Sequence, residues 1–125
     1  LQEFVPHANF DLRILIVGDQ WYAMKRTNPN DWRTNIARGG SGHAYQPTSA
    51  ELDMAMKAAK SLNADILGVD LLPARDGRLL LLEVNAVPGW KGLSQALDIN
   101  MSRIVLNYLK HKALSSSAHA ATRPA

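Results

Sequence analysis

The chain has 125 residues, 46% hydrophobic and 20% charged, which is enough apolar material for one modest core and excludes a chain disordered by composition. The net charge of +3 is scattered, without a Lys/Arg run, which argues against a nucleic-acid surface, and the lack of cysteine excludes disulfides and thiolate metal sites. No apolar stretch approaches the roughly 20 residues that cross a bilayer and no secretory leader is readable, so a cytoplasmic protein with no membrane or nucleic-acid partner is expected.

Residues 1–6 mix apolar and polar side chains, stop at Pro6, and read as a short strand or linker. The chain opens at Leu1 rather than Met, which points to a piece of a longer protein or a processed product. Residues 12–17 are rich in Ile, Leu and Val, and Gly18-Asp19 separates them from a second apolar run, Trp21-Tyr22-Ala23-Met24; this predicts a hairpin. Residues 27–32 (TNPNDW) are turn chemistry, and residues 35–42, with three glycines and Arg38, predict a loop or an irregular strand.

Thr48 with Glu51 forms a capping-box signature, followed by Leu52, Ala55, Met56, Ala59 and Leu62 at helical spacing, with Asn63 as the stop. Residues 66–72 and 79–84 are two strands around Arg75-Asp76-Gly77-Arg78, where Asp-Gly is a strong hairpin signal. Asp98 or Asn100 caps a last helix over 101–112, with Ile104, Val105, Tyr108 and Leu109 on one side. The remainder is Ser/Ala-rich without apolar periodicity, so a domain of residues 1–112 is expected, with a disordered tail over 113–125. The fold class is α+β: a mostly antiparallel sheet covered by the helices at 49–62 and 101–112.

The second hairpin carries the chemistry. An Asp76-Gly77 turn sets Arg75 opposite Arg78 and, counting back along the strands, Asp70 opposite Glu83. Side chains alternate between faces, so Asn85 shares the face of Glu83. Two carboxylates and a carboxamide brought together repel as charges but suit a hard divalent cation, which takes oxygen ligands from one or two carboxylates plus phosphates and water. On pattern alone, a metal site and a solvated acidic face paired with Arg75 or Arg78 stand as equal readings. His7, His43, His111 and His119 lack ligand spacing, Lys25 reads as a surface residue or a phosphate contact, and Trp21, Trp32 and Trp90 read as packing.

Four segments in order, DLRILIVGD (11–19), DWRTN with RGG (31–40), GVDLL (68–72) and LEVNAVPGW (82–90), resemble the C-terminal half of RimK-like ATP-grasp ligases over residues 1–112. The resemblance implies the C-terminal subdomain of an ATP-grasp fold and an enzyme that phosphorylates a carboxylate with ATP and joins the acyl phosphate to an amine. It implies ATP and Mg2+, with Mn2+ as a substitute, and Asp70, Glu83 and Asn85 as metal ligands. It sets Gln2, Glu3, Phe4 and Val5 against adenine, Asp11 near the ribose and Arg13 toward the phosphates. Arg33, Asn35 and Arg38 fall in the loop that holds the transferring phosphoryl group or the carboxylate substrate, a task that suits a guanidinium fork. Gly39 and Gly40 allow close approach to a ligand, and Pro88, Gly89 and Trp90 shape the substrate end. The implied partners are ATP, a carboxylate substrate, an amino-acid amine (glutamate among the candidates) and the N-terminal half of the same enzyme, without which the piece is expected to be inactive. A homo-oligomer is compatible. The competing expectation is a non-catalytic remnant serving as an interaction or oligomerisation module.

Overall fold

The computed structural model describes residues 10–27, 41–86 and 88–122. Within them, β1 (Phe10–Val17) and β2 (Gln20–Thr27) form the first hairpin, β3 is Ser41–Ala44, and α1 is Ser49–Ser61. The second hairpin is β4 (Ile66–Pro73) and β5 (Leu79–Asn85), followed by α2 (Lys91–Leu97) and α3 (Met101–Thr122). The strands form one antiparallel sheet in the order β3-β2-β1-β4-β5.

The first hairpin turns through Gly18-Asp19, with Val17 opposite Gln20. Gly18 has φ 65°, and a Cβ there would lie 2.5 Å from the Tyr108 ring, so both backbone and packing require glycine. On one face of the sheet, Leu12, Ile14 and Ile16 of β1 and Leu67, Val69 and Leu71 of β4 pack against Ala55 and Ala59 of α1. Two alanines at that contact let helix and sheet approach closely. On the other face, Leu15, Val17 and Met24 pack against Leu93 of α2 and Met101 and Val105 of α3.

The expected capping box of α1 is present: Thr48 Oγ1 accepts from Glu51 N at 3.2 Å, and Glu51 Oε1 accepts from Thr48 N at 2.8 Å. Asn63, with φ 51°, ends the helix in the left-handed region as anticipated. Leu62 does not join the buried stripe; at the C-cap it is 56% exposed. Of the two candidate caps for the last helix, Asn100 serves α3, accepting from Arg103 N at 3.0 Å, while Asp98 is the left-handed C-cap of α2, an element the sequence did not announce. Leu109 is exposed rather than core-facing, whereas Ile104, Val105 and Tyr108 pack inward.

α3 runs ten residues past the expected end at 112, taking in most of the segment expected as a disordered tail. Its Ala-rich sequence contains no Gly or Pro before Pro124, and alanine has the strongest intrinsic helix preference. The region read as loop or irregular strand contributes β3 at its end, paired with β2. The readings for residues 1–9 and 28–40 lie outside the described residues. No described helix is long and apolar enough to cross a membrane.

Tyr45 Oη donates to buried Glu51 Oε1 at 2.9 Å. Burial first, then this carboxylate, push the phenol from its usual 10.0 to about 12. The folded state therefore favours neutral Tyr45. That stability is fully present below the unfolded phenol's pKa and is lost as pH rises from there through about 12. Tyr45→Phe should cost about 1 kcal/mol at neutral pH and flatten the alkaline decline, as read by urea unfolding at several pH values.

Candidate active site

The polar side chains of the site lie on the sheet face that also carries α2 and α3. Along β1 that face reads Asp11, Arg13, Leu15, Val17: its second half is covered by the two helices and its first half is polar. Cross-strand neighbours complete the polar half. Arg26 of β2 is opposite Asp11, and Asp70 of β4 is opposite Arg13.

The four side chains form a compact ion-pair network. Arg13 Nε donates to Asp70 Oδ1 at 2.6 Å and Arg13 Nη2 to Asp70 Oδ2 at 2.9 Å, a fork on a carboxylate. Arg26 Nε and Nη2 make the same fork on Asp11, at 2.8 and 2.6 Å. Arg26 Nη2 also lies 3.4 Å from Asp70 Oδ2. Asp11 is 4% and Asp70 6% exposed, so these charges depend on their partners. The Arg13 guanidinium is held protonated above its ordinary range, chiefly by its hydrogen bonds to Asp70 and further by the charges of Asp70, Asp11 and Glu83.

Glu83 is directly opposite Asp70, and Asn85 is opposite Gly68, as expected, so Asp70, Glu83 and Asn85 share one face. The route to that register differs from the expected one. The turn is not Asp76-Gly77 alone: Ala74 pairs with Arg78 across Arg75-Asp76-Gly77, with Gly77 at φ 90°. This one-residue change would turn Glu83 to the other face. A bulge corrects it: Leu71 is opposite Leu81 and Asp70 opposite Glu83, which leaves Leu82 as the extra residue.

Glu83 is exposed, accepts no hydrogen bond from the described residues, and faces the network from the edge strand. Arg78, considered as a partner for the acidic face, instead pairs with Asp76 at 2.7 Å. Among the described residues no three His, Cys, Asp or Glu side chains cluster as metal ligands, since the set here is two carboxylates and a carboxamide. All three offer hard oxygen, and such a set matches a cation that completes its shell with phosphate and water.

The segment after β5 closes one side. A Cβ on Gly68 would sit 2.8 Å from Pro88 Cβ, so glycine is needed for this loop to lie on the sheet beside Asp70. Arg13 Nη1 reaches the Gly89 carbonyl at 3.3 Å, and Trp90 Nε1 donates to Ser102 Oγ at 2.9 Å, tying the loop to α3.

The structure thus brings together Asp11, Arg13, Asp70, Glu83 and Asn85 from three strands on one face. Gln2, Glu3, Phe4, Val5, Arg33, Asn35 and Arg38 lie outside the described residues, as do Gly39 and Gly40. Sequence reasoning missed Arg26. The signal was available, because a Gly18-Asp19 turn sets Arg26 opposite Asp11 as an opposite-charge pair. Lys25 points to the α1 side, with Nζ 4.2 Å from the Phe10 ring centroid, away from this network.

Residues 1–109 match the family model described as the RimK-like ATP-grasp domain. A probable alpha-L-glutamate ligase of Haemophilus ducreyi is 40% identical over 112 residues, 87% of this chain and 36% of that protein. A ribosomal protein bS6–L-glutamate ligase of Escherichia coli is 34% identical over 116 residues, 90% of this chain and 38% of that protein. The chain therefore spans little more than a third of these relatives' length. The structure of the ATP-grasp ligase PsnB with a minimal-precursor variant, Mg and ADP matches with a TM-score of 0.68 at 18% identity, covering 86% of this chain and 33% of that one. The macrocyclase MdnB of Microcystis aeruginosa matches with a TM-score of 0.68 at 19% identity, over 86% of this chain and 32% of that one. At those identities the likeness is one of fold.

Asp70→Asn should destabilise the fold by on the order of 3 kcal/mol, because it leaves Arg13 without its charged partner in a largely desolvated setting. Urea unfolding checks this; a cost below about 1 kcal/mol would show that the network is solvated in practice.

Proposed function

The chain belongs to the RimK-like ATP-grasp family, and from that membership we propose that its protein is an ATP-dependent ligase joining a carboxylate to the amine of an amino acid, glutamate being the foremost candidate. The glutamate ligases among its relatives support the amine. A ligase of the same fold has been solved with Mg and ADP, which supports the nucleotide and the cation. The observation that carries the reading is the convergence of Asp70, Glu83 and Asn85 on one face beside Arg13.

In this reading Asp70, Glu83 and Asn85 hold magnesium, whose charge would neutralise the phosphates as the phosphoryl group transfers. Glu83 and Asn85, on the edge strand, are approachable from solvent, while Asp70 is oriented by Arg13. Arg13, permanently charged, presents donors at the same spot where anionic phosphates would gather. Asp11, fixed by Arg26, lies on the ribose side. Gln2, Glu3, Phe4 and Val5 line the adenine, and Arg33, Asn35 and Arg38 hold the transferring group or the carboxylate substrate.

The substrate carboxylate oxygen attacks the γ-phosphorus and ADP leaves, giving an acyl phosphate. The amine nitrogen then attacks the acyl carbon, inorganic phosphate leaves, and the nitrogen gives up a proton to form the amide. This chain's residues bind and orient; none described is placed as a nucleophile. The parts of the protein beyond this chain supply the rest of the nucleotide site.

In the whole protein, Glu83→Gln should abolish magnesium-dependent ADP release while circular dichroism and melting temperature stay near wild type, because Glu83 is exposed and carries no structural bond among the described residues. Unchanged turnover would reject the assignment.

A further inference from the structure

Arg26 touches two carboxylates that are not each other's strand partners. Asp11 is its neighbour across the β1–β2 ladder, whereas Asp70 belongs to β4, on the far side of β1. One nitrogen, Nη2, makes both approaches: 2.6 Å to Asp11 Oδ2, a full charge-assisted hydrogen bond, and 3.4 Å to Asp70 Oδ2, an ion pair short of one. Side-chain exposure is 14% for Arg26, 6% for Asp11 and 9% for Asp70, so solvent screens these contacts weakly.

We propose that Arg26 is a positioning residue that makes Asp11 and Asp70 interdependent, so that the charge on Asp11 sets how available Asp70 is to a divalent cation. The proposal rests on the reading of Asp70, Glu83 and Asn85 as cation ligands. Asp11 takes both the Nε and Nη2 donors of Arg26 and holds the guanidinium back from Asp70. Without the charge on Asp11, the remaining anion that Arg26 approaches among the described residues is Asp70, and a shift of under about 1 Å turns the 3.4 Å ion pair into a hydrogen bond. A cation would then compete with guanidinium bonds at Asp70 from both Arg13 and Arg26. A lysine ammonium lacks the two-nitrogen grip on Asp11 that holds the shared Nη2 at its distance from Asp70.

The test measures Mn2+ binding to the whole protein by the loss of its free electron-paramagnetic signal, without nucleotide or turnover. Wild type, Asp11→Asn, Arg26→Met and the double variant are compared, with Glu83→Gln as the control for the cation site. Asp11→Asn should weaken Mn2+ binding several-fold, Arg26→Met should tighten it, and in the Arg26→Met background the Asp11→Asn loss should shrink to that of a remote charge. Equal losses in both backgrounds would mean that Asp11 acts as a bare charge and would overturn the proposal, as would no loss at all. No saturable Mn2+ binding to wild type, or binding indifferent to Glu83→Gln, would instead sink the cation reading and this proposal with it. If Arg26→Met fails to fold by circular dichroism, Arg26→Gln, which keeps an amide donor for Asp11 but no charge, gives the same comparison.

Discussion

The fork between Arg13 and Asp70 is the contact on which the site depends. It crosses from β1 to β4 on a face whose other half is apolar and helix-covered, so it marks where packing stops and chemistry begins. A carboxylate as buried as Asp70 is unfavourable without a counter-charge, and the guanidinium supplies that charge with two aligned hydrogen bonds. The third Arg13 nitrogen reaches the Gly89 carbonyl. One side chain therefore fixes the carboxylate, the strand it comes from and the loop beside it.

Glu83 reaches the same place through two irregularities that cancel. The three-residue connection around Asp76 shifts the register by one, and the bulge at Leu82 shifts it back. Because strand side chains alternate, either irregularity alone would send Glu83 to the α1 side, into the surroundings of Val69 and Leu71. The edge strand tolerates the bulge because, among the described residues, only one of its sides is hydrogen-bonded to a neighbour. The bulge also leaves Leu82 exposed.

The sheet divides its work between its faces. The α1 side is apolar along the whole of β1 and β4, and it holds the larger of the two described cores. The opposite side is half core and half charge, with Arg26 and Asp11 continuing the network toward β2. Gly68 lies at the boundary: the missing side chain lets Pro88 rest on the sheet, so the loop walls the polar half without disturbing Asp70.

Short-range rules, acting within a few residues of chain, were enough to determine the local features. The capping box fixed the start of α1, the Gly18 turn fixed the first hairpin, and alternation put Asn85 on the face of Glu83. The opposition of Asp70 and Glu83 was also legible, although it rested on a turn length that proved one residue short and a bulge that restored the count. Only the tertiary structure decided the pairing of β1 with β4, which sets Arg13 opposite Asp70 across 57 residues of chain. No local periodicity encodes that pairing; it comes from burying both strands' apolar faces under α1. The same packing brought Arg26 within reach of Asp70. The hairpin register alone pointed Arg26 to Asp11, but Asp70 lies on the strand beyond β1, and no local signal reaches that far.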